Sequence, residues 1–278
     1  MQSNQHTLNN SCAFEGKGLH TGVYSHMTVL PGAVDSGIVF RRTDLPGKPE
    51  IPAVAEHVSN TALSTTISNN GADVVTIEHI MSALAGIGVD NAVVEIDNRE
   101  VPILDGSARL FVEALVKNGL KDQGVPRRMI EIPVSMEVTD PKTGSRIRIE
   151  PADSPSADIT VDFGSDVLGV QYVHWDLSTD YAKEIAPCRT FCFYRDIEAM
   201  LRNNLIKGGD LENALVITDD GYMGNPTLHF PNECGRHKLL DLIGDFRLAG
   251  GFIKAHITAY KPGHSINTKA VKALRALQ

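Results

Sequence analysis

The run Thr76-Ile77-Glu78-His79-Ile80-Met81-Ser82-Ala83-Leu84 is where the hydrophobic pattern of this chain changes period. Ile77, Ile80, Met81 and Leu84 recur at i, i+3, i+4 and i+7, so a short helix is predicted, with Thr76 or Asp73 as its cap and Gly86 as its stop. Upstream the period is two. Ser25-His26-Met27-Thr28-Val29-Leu30 and Gly37-Ile38-Val39-Phe40-Arg41, set apart by Pro and Gly, read as strands. Downstream a strand is expected over 91–96, a loop over 102–106 and a second helix over 107–118, with Leu110, Phe111, Ala114 and Leu115 on one face and Gly119 as its stop. Sheet and helices in one segment make the class α+β.

Lys121-Asp122-Gln123-Gly124-Val125-Pro126-Arg127-Arg128 follows that helix with the charge, Gly and Pro expected of a linker. A boundary placed there divides the chain into residues 1–125 and 126–278. The second part restarts with strands over 130–138, 146–150 and 159–163. It continues with a helix over 195–203, a strand over 214–217, a long helix over 236–248, a strand over 253–260 and a last helix from Ser265. His79 and Ser107 are 28 residues apart, as are His237 and Ser265. Duplicated β/α units would produce this echo, and so would an accident of spacing between two α+β domains.

With 278 residues, 42% hydrophobic and 22% charged, the chain has material for two packed domains and is neither disordered nor collagen-like. Its 26 basic and 34 acidic side chains leave a formal charge of −8, which speaks against a nucleic-acid partner and against attraction to an anionic membrane surface. Cys12, Cys188, Cys192 and Cys234 are too scattered for a disulfide framework and are expected as reduced thiols. The start, Met1-Gln2-Ser3-Asn4-Gln5-His6, is polar with no apolar run behind it, and no stretch reaches the roughly 18 apolar residues of a membrane span. A cytoplasmic monomer is expected, with no transmembrane segment and no room for a fused second enzyme.

The helix over 236–248 has the most ordered polar face. At about 100° per residue from His237, the residues Leu239, Leu242, Ile243 and Phe246 fall on one side, and His237, Lys238, Asp241 and Asp245 on the other. His237 and Asp241 thus stand one turn apart, where both can reach a single metal ion. The other His-x-x-x-carboxylate match, His229 and Glu233, encloses Pro231, which argues against a helix there. An exposed capping histidine with a solvated aspartate satisfies the same spacing, and on spacing alone it is the commoner case.

The apolar stripe of the first helix points away from His79, leaving this imidazole and Glu78 to face either a cleft or solvent. With His237 and Asp241, His79 would complete three protein ligands for zinc and leave the fourth position to water, with a neighbouring carboxylate as general base. Tyr260-Lys261-Pro262-Gly263-His264 presents a histidine from a turn. It could serve as a general acid if Asp245 keeps it protonated, or it could simply be solvated. A closed zinc site from Cys188, Cys192, His229, Cys234 and His237 competes, but the 37 residues from Cys192 to His229 argue against it. There is no Walker A motif, and Gly16-Lys17-Gly18-Leu19-His20-Thr21-Gly22 lacks the spacing of a dinucleotide fingerprint.

Several strings together resemble one family, the UDP-3-O-acyl-N-acetylglucosamine deacetylases, zinc amidases of lipid A synthesis. They are Glu15-Gly16-Lys17-Gly18-Leu19-His20-Thr21-Gly22, Leu63-Ser64-Thr65-Thr66, the run from Thr76 to Leu84, Ile103-Leu104-Asp105-Gly106-Ser107-Ala108, Cys188-Arg189-Thr190-Phe191, Arg236-His237-Lys238-Leu239-Leu240-Asp241-Leu242-Ile243-Gly244-Asp245 and Gly263-His264-Ser265-Ile266-Asn267. They follow the family's order over nearly the whole chain.

The resemblance implies zinc ligands at His79, His237 and Asp241, with Glu78 as the general base. It implies His264 as electrostatic stabiliser and general acid, Asp245 as its partner, and Thr190 as a hydroxyl on the oxyanion. Lys238 and Lys261 are similar to the family's contacts to phosphate or sugar, and Phe163 and Lys142 to its uridine contacts; Leu19 and Leu63 are also expected at the substrate. The implied reaction releases acetate from a UDP-linked, 3-O-acylated N-acetylglucosamine.

The implied fold is two similar β/α domains with helices packed between two sheets and the active site in the interdomain cleft. An inserted β-α-β unit at about 191–216 would line a passage for the acyl chain with Phe191, Phe193, Ile197, Met200, Leu201, Leu205, Ile206, Leu211 and Val216. An amphipathic core helix would show much the same pattern. Three departures stand out: Cys192 where the family usually has glycine, Asn60 where aspartate is usual, and a variant lead over 227–235. Two rival readings are an amidohydrolase of the same fold acting on another acylated amine, and a binding module that has lost turnover.

Overall fold

The computed structural model describes residues 4–277; Met1, Gln2 and Ser3 of the polar N-terminal stretch lie outside the described residues, as does Gln278. The first half runs β1 (Asn4–Leu8), β2 (Cys12–Lys17), β3 (Tyr24–Pro31), β4 (Ile38–Arg42), β5 (Glu50–Pro52), β6 (Val58–Asn60), β7 (Thr66–Asn69), β8 (Ala72–Val74), α1 (Glu78–Gly86), β9 (Ala92–Ile96), α2 (Arg109–Asn118) and β10 (Leu120–Pro126). The second runs β11 (Met129–Glu131), β12 (Met136–Asp140), β13 (Ser145–Pro151), β14 (Ser156–Asp162), β15 (Val170–Asp176), α3 (Tyr181–Glu184), β16 (Phe191–Phe193), α4 (Tyr194–Arg202), β17 (Leu215–Ile217), α5 (Glu233–Phe246), β18 (Phe252–Tyr260) and α6 (His264–Arg275).

The first large sheet has the order β2-β3-β9-β4-β5, antiparallel except for the inner β9/β4 pair. The second has the order β12-β13-β18-β14-β15, antiparallel except for the inner β18/β14 pair, with β11 added parallel to β18. In each half one helix precedes the strand that enters the middle of the sheet and one follows it. The shared strand order agrees with duplicated β/α units, one of the two readings of the 28-residue echo.

Period-two segments bury one face: in β3, Ser25, Met27 and Val29 are inward while Tyr24 and His26 are exposed. The helices lie between the sheets. α2 packs on β2, α5 on β14 and β15, α6 on β12 and β13, and α1 and α5 pack on each other. One hydrophobic core therefore runs through both halves. A helix held between layers is covered on all sides, and residues 78–84 of α1 are all buried. The α1/α5 crossing is close enough that a Cβ on Gly244 would run into the carbonyl oxygen of Glu78.

Several boundaries differ from the sequence reading. Leu120–Pro126 is not an irregular linker: β10 pairs antiparallel with β1, and its charge and Gly reflect a two-stranded ribbon with one wet face. Helix α1 starts at Glu78 with Ile77 at its cap position instead of Thr76 or Asp73, because Thr76 takes a positive φ of 60° and its hydroxyl donates to Glu100 Oε1 at 2.8 Å. The stretch over 130–138 breaks into β11 and β12 around Pro133, which cannot donate to a ladder. Among the described residues, no helix is long and apolar enough to cross a membrane.

Candidate metal and catalytic site

His79 is the second residue of α1, and His237 and Asp241 stand one turn apart on α5, so the α1/α5 crossing brings the three together. Each is buried, and their ligand atoms all lie within 4.8 Å of one another. Asp241 Oδ1 is 3.4 Å from His237 Nε2 and 3.8 Å from His79 Nε2, yet it is buried without a hydrogen-bond partner. The other carboxylate oxygen, Oδ2, accepts from Lys238 Nζ at 2.8 Å. His237 Nδ1 donates to the Cys188 carbonyl at 3.0 Å, which fixes the tautomer and leaves Nε2 as a lone pair aimed at the site.

Burial holds both imidazoles neutral. It is the main cause that lowers His79 to about 3, with His237 acting in the same direction, and it also lowers His237, against the pull of Asp241. Burial alone would raise the Asp241 carboxyl, but His237 and Lys238 outweigh it and keep the group ionised. Two neutral imidazole nitrogens and one unpartnered carboxylate oxygen, buried around a common point, fit a divalent metal ion. The exposed capping histidine and solvated aspartate allowed by spacing are thereby excluded.

A chain of hydrogen bonds runs beside this centre. Glu78 Oε2 accepts from the Thr65 amide at 2.9 Å, and the Thr65 hydroxyl donates to Asp245 Oδ1 at 2.6 Å. Asp245 Oδ2 accepts from His264 Nδ1 and from Asn267 Nδ2, each at 2.9 Å. His264 Nε2 then faces back to Glu78 Oε1 at 3.8 Å. Glu78 is raised to about 7, chiefly by burial, with Asp241 and Asp245 adding to it and His264 opposing. For His264 burial acts downward but loses to Asp245 and Glu78, and the imidazole rises to about 9. His264 opens α6 rather than sitting on a loop, so the helix dipole also disfavours its charge and Asp245 must overcome both.

The centre opens into a cavity of about 580 Å³. Leu19, Leu63, Phe163, Thr190, Phe191, Leu211, Val216 and Lys238 line it alongside Glu78, His79, His237, Asp241 and His264. Lys261 and Lys142 are not in its wall. Lys261 Nζ pairs with Asp162 at 3.6 Å, and Lys142 sits on the β12–β13 turn, whose neighbours Asp140, Thr143 and Ser145 do line the cavity. One arm of the cavity lies over the unit made of β16, α4 and β17, whose two strands are parallel. Ile197, Met200, Leu201 and Ile206 line that arm; Phe193 instead packs beside Phe163 at 5.8 Å between ring centroids, and Leu205 is outside the wall.

Cys192 takes the place of a glycine without strain, because it lies in β16 opposite Val216 with no positive φ; its side chain joins the cavity wall. The closed cysteine site does not assemble. Cys188 offers His237 its carbonyl, while its thiol donates to the Glu184 carbonyl at 3.5 Å. Glu233 caps its own approach, accepting from the His229 amide at 2.7 Å and pairing with Arg189 at 2.8 Å. Thr65 and Asn267 are the functional side chains that sequence reasoning did not single out. Both lie inside quoted strings, but neither carries a charge or a spacing that marks it.

Residues 5–276 match the family model described as LpxC, UDP-3-O-acyl N-acetylglycosamine deacetylase. A protein of Trichormus variabilis named UDP-3-O-acyl-N-acetylglucosamine deacetylase is 42% identical over 277 residues, which cover 98% of this chain and 99% of that one. One of Xanthomonas euvesicatoria with the same name is 42% identical over 278 residues, covering 99% of this chain and 91% of that one. A Porphyromonas gingivalis protein named bifunctional enzyme LpxC/FabZ is 40% identical over 295 aligned residues; the match covers 98% of this chain and 64% of the longer relative.

Proposed function

Since the chain belongs to the UDP-3-O-acyl N-acetylglycosamine deacetylase family, we propose that it hydrolyses the N-acetyl group of a UDP-linked, 3-O-acylated N-acetylglucosamine and releases acetate, a step of lipid A biosynthesis. The observation that carries this reading is the convergence of His79, His237 and Asp241 beside the Glu78-Thr65-Asp245-His264 chain, at the foot of a cavity with an apolar arm.

An acetamide is a poor electrophile with a poor leaving group, so the site must activate water, stabilise a tetrahedral oxyanion and protonate the departing amine. His79, His237 and Asp241 would hold a zinc ion, which when bound supplies a Lewis acid and lowers the pKa of water. Glu78, buried and close to neutrality, accepts the proton of the attacking water. Protonated His264 stabilises the developing negative charge through Nε2 and then donates its proton to the amine nitrogen, while Asp245 holds Nδ1. Thr190 offers its hydroxyl to the oxyanion from the cavity wall. Lys238 orients Asp241 by engaging Oδ2, and so leaves Oδ1 to the metal.

Residues 1–125 and 126–278 act in this reading as two domains, the first giving Thr65, Glu78 and His79 and the second Thr190, His237, Lys238, Asp241, Asp245 and His264. Phe163 would stack on uracil, Lys261 and Lys142 would reach the nucleotide from outside the cavity, and Leu19, Leu63, Phe191, Leu211 and Val216 would contact the acylated sugar. We further propose a cytoplasmic monomer, to be checked by cell fractionation and sedimentation.

The test is acetate release from the UDP-sugar by the metal-loaded native chain and by Glu78→Ala. Turnover by the native chain and a loss of about 100-fold or more in the variant are expected. Equal rates would remove Glu78 from the mechanism, and a native chain without turnover would overturn the reading.

A further inference from the structure

Glu100 is a fully buried carboxylate that the proposed deacetylation does not use. It sits where the backbone after β9 runs between two other segments, with Val75 bridged to Glu100 in parallel and Gly18 bridged to Pro102 in antiparallel sense. From there its side chain reaches the turn over 18–22. Oε1 accepts from the His20 amide and from the Thr76 hydroxyl, each at 2.8 Å. Oε2 accepts from the Thr21 amide at 2.7 Å and from the Thr21 hydroxyl at 2.6 Å. Four neutral donors thus stabilise one buried charge. The fit leaves no room for a side chain above it, because a Cβ on Gly18 would run into the carboxylate.

The turn carries part of the catalytic cavity. Leu19 and His20 are buried in its wall. The carbonyls of the same two residues accept from the segment that follows α4: the Gly208 amide donates to Leu19 at 3.0 Å and the Lys207 amide to His20 at 3.2 Å. Packing there is so close that a Cβ on Gly208 would meet the Gly18 carbonyl oxygen. Ile206 and Gly209, which flank this contact, line the cavity. The turn is therefore fastened to Glu100 on one side and seats the inserted unit on the other. The start of α1 has supports of its own, since the Val75 amide donates to the Arg99 carbonyl at 2.8 Å and the Ile77 amide to the Thr65 carbonyl at 3.2 Å.

We propose that Glu100 is a positioning residue for the acyl arm: by fixing the 18–22 turn it fixes the seat of the segment over 206–209, and so sets how strongly the site prefers a long acyl chain to a short one. The preference rests on the deacetylase reading, whereas the link between Glu100, the turn and the inserted unit does not. Glu100→Gln isolates the effect, because it keeps the size and shape of the side chain but puts an NH2 group in place of one acceptor. A threonine hydroxyl can rotate to accept from that group. The His20 or Thr21 amide that faces it cannot.

Amide hydrogen exchange of the metal-loaded full chain reads the link without substrate. The Lys207 and Gly208 amides bond the turn and not Glu100 itself. In Glu100→Gln they should exchange about ten-fold faster or more, while the amides of β3 and α5 keep their native rates. In acetate-release assays, kcat/KM for a 3-O-decanoyl UDP-sugar should fall about ten-fold more than kcat/KM for its 3-O-acetyl counterpart. A purely structural role would lower both by the same factor. Native exchange at Lys207 and Gly208, or equal losses on the two substrates, would overturn the proposal. A native chain that turns over neither substrate would overturn the deacetylase reading and with it the preference, while exchange at Gly208 still decides the link. Should Glu100→Gln fail to fold, Thr21→Val, which removes the hydroxyl donor to Oε2, should move both readouts in the same direction by about three-fold, and the same outcomes overturn the proposal.

Discussion

Thr65 joins the proposed base to the partner of the proposed acid, since its amide engages Glu78 and its hydroxyl engages Asp245. Thr65→Val keeps the shape but leaves Asp245 Oδ1 unpaired, so kcat is expected to fall about ten-fold or more with KM little changed, and Thr65→Ser to restore it. A KM effect alone, or failure of serine to rescue, would reduce Thr65 to a packing residue.

The pH dependence belongs to the same chain. The proposed mechanism needs Glu78 ionised and His264 protonated, so kcat/KM should rise as Glu78, near 7, loses its proton and fall as His264, near 9, loses its own. A bound cation favours the deprotonated form of both and moves both limbs to lower pH. The two limbs belong to the coupled pair, yet Glu78→Gln should erase the acid limb and His264→Gln the basic one.

Helical spacing brought out His237 and Asp241, and charge brought out Glu78, His79 and His264, but each fitted a solvated reading as well, and it was the resemblance to a family that assigned them to one site. Thr65 and Asn267 were not legible, because neutral hydrogen-bonding residues gain meaning only from the carboxylates that tertiary folding brings to them. Lys261 and Lys142 show the converse: their charge draws attention, but local pairing and turn geometry keep both out of the cavity wall.

Among the elements, the α1/α5 crossing governs the site. Gly244→Ala would push a methyl into the Glu78 carbonyl, a backbone contact that cannot yield without separating the helices. A loss of about 1–3 kcal/mol in unfolding free energy is expected, together with weaker metal binding; denaturant titration and metal analysis check both. An unchanged metal affinity would mean that the crossing tolerates more slack than its contacts suggest. The acyl arm offers a second test. Cys192→Trp should raise KM for long-chain substrates while sparing short ones, and equal effects across chain lengths would count against a passage there.

Periodicity revealed both crossing helices, because a stripe of Ile, Leu and Met survives in any sequence that buries one side. It did not reveal that their polar sides are buried as well, since a hydrophilic face reads the same whether it meets water or another helix. β10 was hidden for a related reason: a two-stranded ribbon with one wet face has the composition of a linker.

At the scale of the molecule, a metal held by the candidate centre would stitch the halves together, with His79 from one and His237 and Asp241 from the other. A chelator should therefore lower Tm as well as abolish activity, and His237→Ala, which is expected to lose the metal, should show a Tm that the chelator no longer moves. Persistence of full metal stoichiometry in that variant would refute the ligand assignment. The common strand order has a historical corollary. An ancestor built from two identical half-chains would have carried the counterparts of His79 and His237 on either side of its dyad, half of a cation site supplied by symmetry alone. Four residues on from each histidine the copies now differ, Asp241 in one and Ala83 in the other, and one residue before each stand Arg236 and Glu78. On that reading, divergence at those positions would have turned a symmetric pair of imidazoles into a site with a carboxylate beside one histidine and Glu78 beside the other.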